Sequence, residues 1–401
     1  MPHSKPFTWN LSLPAAILMM APFDILASLA MDIYLPIVPA MPAILDTSPS
    51  VVQLTLSFYM VLLGLGQIVF GPLSDRIGRR PVLLGGALIF ALASLLLATT
   101  TSAVSFVLLR IMQAAGASAG LVATFATVRD VYADRPEGAV IYSLFGAMLA
   151  FVPAFGPIGG ALIAEIFGWR AIFVTLAVLA LLATLNAMRA WRETRPVDSG
   201  GGKTDFIAIL SSQAFWTYTL GFSAAMGAFF VFFSTAPRVL IDRAGYSETT
   251  FSIAFGTAAL VMILTSRFAK RFVAAWGIPG SLARGMSVLL LGAALLTLGQ
   301  LVAKPSFVTF VLPMWIIAVG IVFASSVTAN GALEDFGKAA GAAVALYFCV
   351  ESILVSAVGT ALIVLLPGDT AWPLIAYCVA MASITLGVLL RFQARSKGGG
   401  S

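Results

Sequence analysis

Histidine is all but missing from this sequence. The one copy, His3, lies near the start of the chain, which removes His-based zinc, haem and acid–base schemes. Cysteine occurs twice, as Cys349 and Cys378, both inside apolar runs. That suits two small buried hydrophobes better than a disulfide or a metal site. Charge is scarce: 10% of the 401 residues are Asp, Glu, Lys or Arg, against about a quarter in an ordinary soluble domain. The pattern GxxxxGK[ST] does not occur, so ATP is not expected to drive anything here. The net charge of +6 is spread over loops and forms no patch, which argues against nucleic acid as a partner. No cofactor and no metal are expected.

What is present is apolar sequence in long runs, 60% of the chain. Continuous runs of this length read as an all-α integral membrane protein, because a β-barrel shows short alternating segments instead. Twelve spans are expected, at about 13–38, 51–73, 81–100, 104–127, 138–162, 169–190, 214–236, 247–270, 280–302, 306–328, 338–366 and 371–391. The first run is too long for a signal peptide and no small-residue cleavage site follows it, so it is expected to stay. A polar, glycine-rich stretch separates the sixth and seventh spans. The expected organisation is a six-helix half over 1–191, a cytoplasmic linker over 192–212, a second six-helix half over 213–392, and a tail over 393–401 whose end reads as an appended flexible linker. With the N-terminus inside, Arg76, Arg79, Arg80, Arg129, Arg135, Arg189, Arg267, Lys270 and Arg271 gather on the inner side. Arg170, Arg238, Arg243 and Lys304 remain outside. That bias puts both termini in the cytoplasm.

A few charges stay inside the membrane: Asp24 and Asp32 on span 1, Arg110 on span 4 and Glu351 on span 11. A carboxylate there costs a few kcal/mol, roughly 2.5–3.5 on insertion scales, so a use is expected for it. Asp24 and Asp32 are eight apart, roughly 80° around the helix and about 12 Å along it, so both can face one cavity at two depths. Asp32 and Arg110 each fall about 9 Å from the same face, so the two can pair, either for function or as a bridge between helices. Asp24 falls near the midplane with no cation at its level. It is either functional or a protonated group bonded to a neighbouring helix. Glu351 either takes part in binding or lines a water-filled cavity.

The loop GPLSDRIGRRP (71–81) is the most specific signal in the chain. Gly71 is expected to allow close helix approach and Gly78 a tight turn. Asp75 can face basic side chains and the N-terminal end of a neighbouring helix. This loop closely resembles the signature between the second and third helices of major facilitator superfamily transporters. In that family it latches the cytoplasmic side, which implies this role for Gly71, Asp75, Arg76, Gly78, Arg79 and Arg80. The stretch LRIMQAAG (109–116) is similar to the family's fourth-helix motif, whose arginine is tied to proton coupling. Gly116 and Gly120 are expected to form one small-residue packing face. On span 5, Gly146, Pro153, Gly156, Pro157, Gly159 and Gly160 resemble the motif of the antiporter branch.

The resemblance narrows further. The acids on span 1, with IYLP after the second, resemble the drug–proton antiporters of the twelve-span drug-exporter branch. The stretches PFDILASL (22–29), ATFATVRD (123–130) and FFVFFS (229–234) look most like the chloramphenicol and florfenicol exporters. Glu351 departs from that pattern. The resemblance implies two pseudo-symmetric six-helix halves, no enzyme activity, and proton-coupled efflux of phenicols by alternating access from a bacterial inner membrane. Its partners are then a neutral amphiphilic drug, protons and the bilayer, and a monomer is expected. Asp24, Asp32 and Arg110 become the proton-coupling set. The substrate candidates are those three with Tyr59, Met60, Met148, Phe151, Phe230 and Glu351. Of Phe229, Phe230, Phe232 and Phe233, only part can face a cavity at helical spacing. The alternatives are a broader multidrug antiporter and a proton-coupled importer. No His, Cys or Ser constellation supports a membrane enzyme, and the two-half pattern disfavours a channel or receptor.

Overall fold

The computed structural model describes residues 9, 11–132, 135–195, 206–336 and 340–398, and among them every regular element is helical. α1 (Leu13–Asp32) runs into a 3-10 stretch (Leu35–Ala40) and a single turn, α2 (Met41–Ile44). Then come α3 (Pro49–Ile77), α4 (Arg79–Leu97), α5 (Ala103–Tyr132), α6 (Pro136–Phe167) and α7 (Arg170–Ala190). The short α8 (Phe206–Ser211) leads into α9 (Gln213–Pro237), α10 (Glu248–Val302), α11 (Leu312–Leu333), α12 (Ala340–Leu365) and α13 (Trp372–Gly398).

Among the described residues, ten segments are long and apolar enough to cross a bilayer. In hydrocarbon the backbone must satisfy itself, and a helix does so residue by residue. The 55-residue α10 holds expected spans 8 and 9, divided by Gly277 at φ 68°. With α6 as the fifth, all twelve expected spans have a helix. Glycines in the left-handed region also end α3, at Gly78, and α6, at Gly168. Of the expected linker, residues 196–205 lie outside the described residues, while 206–211 form α8. The last helix continues through Gly398, past the expected boundary at 392.

The chain divides into two compact units. The first comprises the chain to Tyr34, residues 44–46, and Phe58 to Lys203. Here α7 shows how a bilayer changes the usual pattern. Its buried face is rich in small residues (Ala177, Ala180, Ala183, Ala187), whereas Leu179, Leu181, Leu182 and Leu185 are exposed. Small residues bring helices close where there is no water to expel. Gly116 of α5 follows this rule: a Cβ there lies 2.5 Å from the Gly86 carbonyl of α4. Gly120 instead looks at Phe23 of α1, 3.9 Å away, so the two glycines serve different partners and not one shared face.

The second unit comprises residues 35–43, residues 47–57, and the chain from Thr204. Within it, Phe232 of α9 stacks on Phe255 of α10 at 5.2 Å and meets Phe310 at 5.6 Å. Residues from the front of the chain are seated here by polar contacts. Gln53 Nε2 donates to Ser234 Oγ (3.3 Å), and the Ser57 hydroxyl bonds that of Thr360 on α12. In both units several buried hydroxyls close on their own helix: Thr124, Thr127 and Thr184, and likewise Ser223 and Thr235, donate to the carbonyl four residues back. They need no water.

Candidate functional site

α1 carries Asp24 and Asp32 because its run of Leu, Ile, Met and Ala keeps the helix going through both acids and through Pro22. Asp24 is fully buried, and neither carboxyl oxygen has a hydrogen-bond partner among the described residues. Asp32, at the last turn, is 5% exposed and touches α6, where a Cβ on Gly156 meets its own Cβ at 3.0 Å. One turn of α6 further, a Cβ on Gly160 runs into the carbonyl of Ile33. The bare backbone at 156 and 160 is what lets α6 lie against the acidic end of α1. Pro153 and Pro157 are accommodated within α6. Gly146 lies in the same helix, outside the residues whose surroundings are described. Gly159 meets nothing within 4 Å and lines a groove instead.

Arg110 sits on α5, fully buried, and its guanidinium lies between two tyrosine rings, Tyr59 at 4.6 Å and Tyr34 at 5.1 Å. Such stacking suits the flat guanidinium. Its Nη1 donates to the Ala30 carbonyl of α1 (2.9 Å) and to Gln113 Oε1 (2.6 Å). Gln113 Nε2 continues to Ser94 Oγ on α4 (2.8 Å), and Ser94 donates to the Phe90 carbonyl (2.7 Å). Nε and Nη2 of Arg110 have no partner among the described residues. The expected pairing of Asp32 with Arg110 is not made. The arginine reaches α1 two residues earlier, at a backbone carbonyl, while both charges act on the Tyr59 hydroxyl. That hydroxyl donates to the Ala27 carbonyl (2.8 Å). Equal depth was legible; the rotation of each helix about its axis was not.

A groove of about 340 Å³ runs along α1 and α6 in the first unit, lined by Ile25, Leu29, Met148, Phe151, Phe155 and Gly159 among others. Its α1 wall includes the residue after each acid, Ile25 and Ile33, but neither Asp24 nor Asp32 lines it. Phe151 is half exposed there and stacks on Phe155 at 6.0 Å, and Met148 is half-buried. Met60, also half-buried, follows Tyr59 on α3. In the second unit Phe230 is buried and packs near Gly359, while Phe229, Phe232 and Phe233 all pair with Phe255. Phe232 and Phe233 are core, and Phe229 is half-buried beside them. Glu351 is buried on α12, in the second unit.

The loop between α3 and α4 is built around Arg79, which is 2% exposed. Its guanidinium pairs with Asp75 (2.5 Å) and Asp130 (2.7 Å) and donates to Ser74 Oγ (2.8 Å). Arg195 donates to the Arg76 carbonyl. Glu193, just after α7, accepts from the backbone N–H groups of Arg79 (2.8 Å), Arg80 (3.1 Å), Thr194 and Arg195 (3.0 Å each). Burial raises such a carboxyl, but these donors outweigh it and hold Glu193 below the usual glutamate range. Gly78 has φ 110°, and a Cβ there runs into the same carboxylate. Two expectations are corrected. The N-terminal end of α4 is capped by Glu193, not Asp75. A Cβ on Gly71 meets nothing within 4 Å among the described residues, so the close approach expected of it is absent. Gln113, Asp130 and Glu193 were missed as site residues. Gln113 was findable, three positions from Arg110 and so on its face of the helix.

A family model described as Major Facilitator Superfamily matches residues 23–360. The chain is 49% identical over 386 residues to a protein of Pseudomonas aeruginosa named Chloramphenicol resistance protein, covering 96% of this chain and 92% of that one. It is 30% identical over 241 residues to Multidrug resistance protein D of Escherichia coli (strain K12), covering 60% and 61%. It is 27% identical over 398 residues to the Bicyclomycin resistance protein homolog of Haemophilus influenzae, covering 95% and 98%.

Proposed function

Because the chain belongs to the Major Facilitator Superfamily, a family of membrane transporters and not of enzymes, we propose that it exports the phenicols chloramphenicol and florfenicol from the bacterial cytoplasm in exchange for protons. One observation carries this reading: the near end-to-end match to a relative named for chloramphenicol resistance. The full burial of Asp24 without a partner supports the coupling. A carboxyl in that setting takes either a proton or the hydroxyl donors of a neutral drug. Exposed to the cytoplasm, ionised Asp24 accepts from the drug's hydroxyls while apolar side chains hold its ring. Met148 and Phe151 of the α1–α6 groove, with Tyr59 and Met60, supply such contacts, and Phe230 is a further candidate. Exposed to the outside, a proton reaches Asp24 or Asp32 and drug binding weakens. The drug leaves and the proton travels inward. Competition between the two for the same carboxyl is enough for exchange. A neutral drug leaving against one proton moves charge, and each 100 mV is worth roughly 2.3 kcal/mol per charge.

In this scheme Arg110 positions α1 through Ala30 and holds the field around Asp32, and the Asp75–Arg79–Asp130 pairs latch the cytoplasmic side. The antiporter-type glycines and prolines of α6 hold that helix against α1. The protein works as a monomer in the inner membrane, with both termini cytoplasmic. A broader multidrug exporter is the second reading, favoured by the similarity to Multidrug resistance protein D. The test is chloramphenicol and florfenicol efflux from susceptible bacteria expressing Asp24→Asn or Asp32→Asn. At least one variant is expected to lose pH-dependent efflux; unchanged pH-dependent efflux in both defeats the coupling scheme.

A further inference from the structure

Glu351 is the one acid of α12, and the helices around it offer it no counter-charge. α8, α9 and α11, three of the elements packed against α12, contain no Asp, Glu, Lys or Arg at all. α13 has its first basic residue at Arg391, fourteen positions beyond Tyr377 and so roughly 21 Å along the helix, and α3, which meets α12 at Thr360, has no charged residue before Asp75. The titratable groups that face Glu351 are Tyr347 on its own helix and Tyr377 on α13, with the buried thiol of Cys378 beside the latter. Both phenol protons are already spent. Tyr347 Oη donates to Thr328 Oγ1 (2.9 Å) and Tyr377 Oη to the Ser223 carbonyl (2.8 Å).

The carboxyl itself is 3% exposed. One oxygen accepts from Ser352 Oγ at 3.2 Å; the other has no partner among the described residues. A buried carboxylate with no cation and one weak donor is an uncompensated charge. A buried acid kept only for architecture has its proton bonded to a fixed acceptor. Glu351 has no cation, and its one contact, the Ser352 hydroxyl, can donate to the carboxylate or accept from the acid, so it fixes neither protonation state. The unpaired oxygen takes a proton or a donor small enough to reach it. Aromatic rings crowd the helix beside it: Phe222 stacks on Tyr347 at 4.9 Å, and Phe348 lies 5.3 Å from Tyr347. That packing favours a bare proton over an organic cation.

We infer that Glu351 is a second proton-exchanging group, carried by the second unit and separate from the acids of α1. The carboxylate takes a proton from hydronium on one side, forming its O–H bond and leaving water, and gives the proton back to water on the other side, where that bond breaks. The inference rests on the transport reading above only for its cargo, and the experiment separates the two. Infrared spectra are recorded on protein labelled with ¹³C at the glutamate carboxyl, so that Asp24 and Asp32 do not contribute. Wild type is expected to show a protonated glutamic acid band that disappears as pH is raised. That band is absent in Glu351→Gln and intact in Asp24→Asn. In liposomes, Glu351→Gln is expected to move one proton fewer per chloramphenicol than wild type. A labelled band that ignores the substitution, or a band that never titrates with an unchanged proton ratio, overturns the inference. Should Glu351→Gln not fold, Glu351→Asp serves: the labelled band disappears and an unlabelled aspartic band replaces it. A wild type that moves no chloramphenicol counts against the phenicol reading, and the infrared arm, which needs no drug, still decides Glu351.

Discussion

Four backbone N–H groups converge on the carboxylate of Glu193, two from the first turn of α4 and two from its own strand of chain. Anions stabilise helix N-termini in this way, by satisfying donors that have no partner within the helix. Glu193 is held below its usual range, so its contribution is full above the unfolded value and disappears as pH falls through the lower, folded value. In Glu193→Gln the melting temperature in detergent is expected to fall at neutral pH. The drop is small, because the side chain is largely exposed and screened. It should close on acidification below the glutamate range; a drop that stays constant with pH removes the charge argument. Nothing local in the sequence marked this residue. An acid at the end of a span reads as loop charge until the turn at Gly78 is known to aim its donors there. Arg110 teaches a similar lesson. Its depth was readable from helix rise, whereas its choice of Ala30 and Gln113 over Asp32 depends on helix rotation, which packing decides.

Among elements, α6 separates glycines that matter from glycines that do not. A methyl at 160 meets the Ile33 carbonyl of α1, but a methyl at 159 meets nothing. Gly160→Ala is therefore expected to cost about 1–3 kcal/mol, the range for overpacking, and to lower both melting temperature and efflux. Gly159→Ala should leave the melting temperature unchanged or raise it, since alanine favours the helix. Equal losses in both would mean that contact with α1 is not the reason for glycine here. The positions of the helices were legible because long apolar runs admit few other structures. Which glycines touch a neighbour was not, since spacing alone cannot name the partner. Gly71, Gly116 and Gly120 show the same limit. Spans 8 and 9 appeared as two helices with a basic loop. The loop is instead helical, and the chain breaks at the single residue Gly277.

For the whole molecule, the distribution of Lys and Arg predicts one orientation in the membrane, and it can be checked directly. Cys349 and Cys378 are buried, so a membrane-impermeant thiol reagent should find little background. Lys304→Cys is expected to react in intact cells, and Arg267→Cys only after the membrane is opened. The opposite result reverses the topology. The expected linker rests on a break in composition. The membership of residues 35–43 and 47–57 in the second unit was not readable, because what seats them, Ser234 and Thr360, lies some 180 to 300 positions later. This has a genetic corollary. Recombination between related genes within the linker would pair the Gln53 and Ser57 of one parent with the α9 and α12 of another. Hybrids of that kind inherit a mismatched seam even when each half is sound, so the front of the gene is constrained to drift in step with its back.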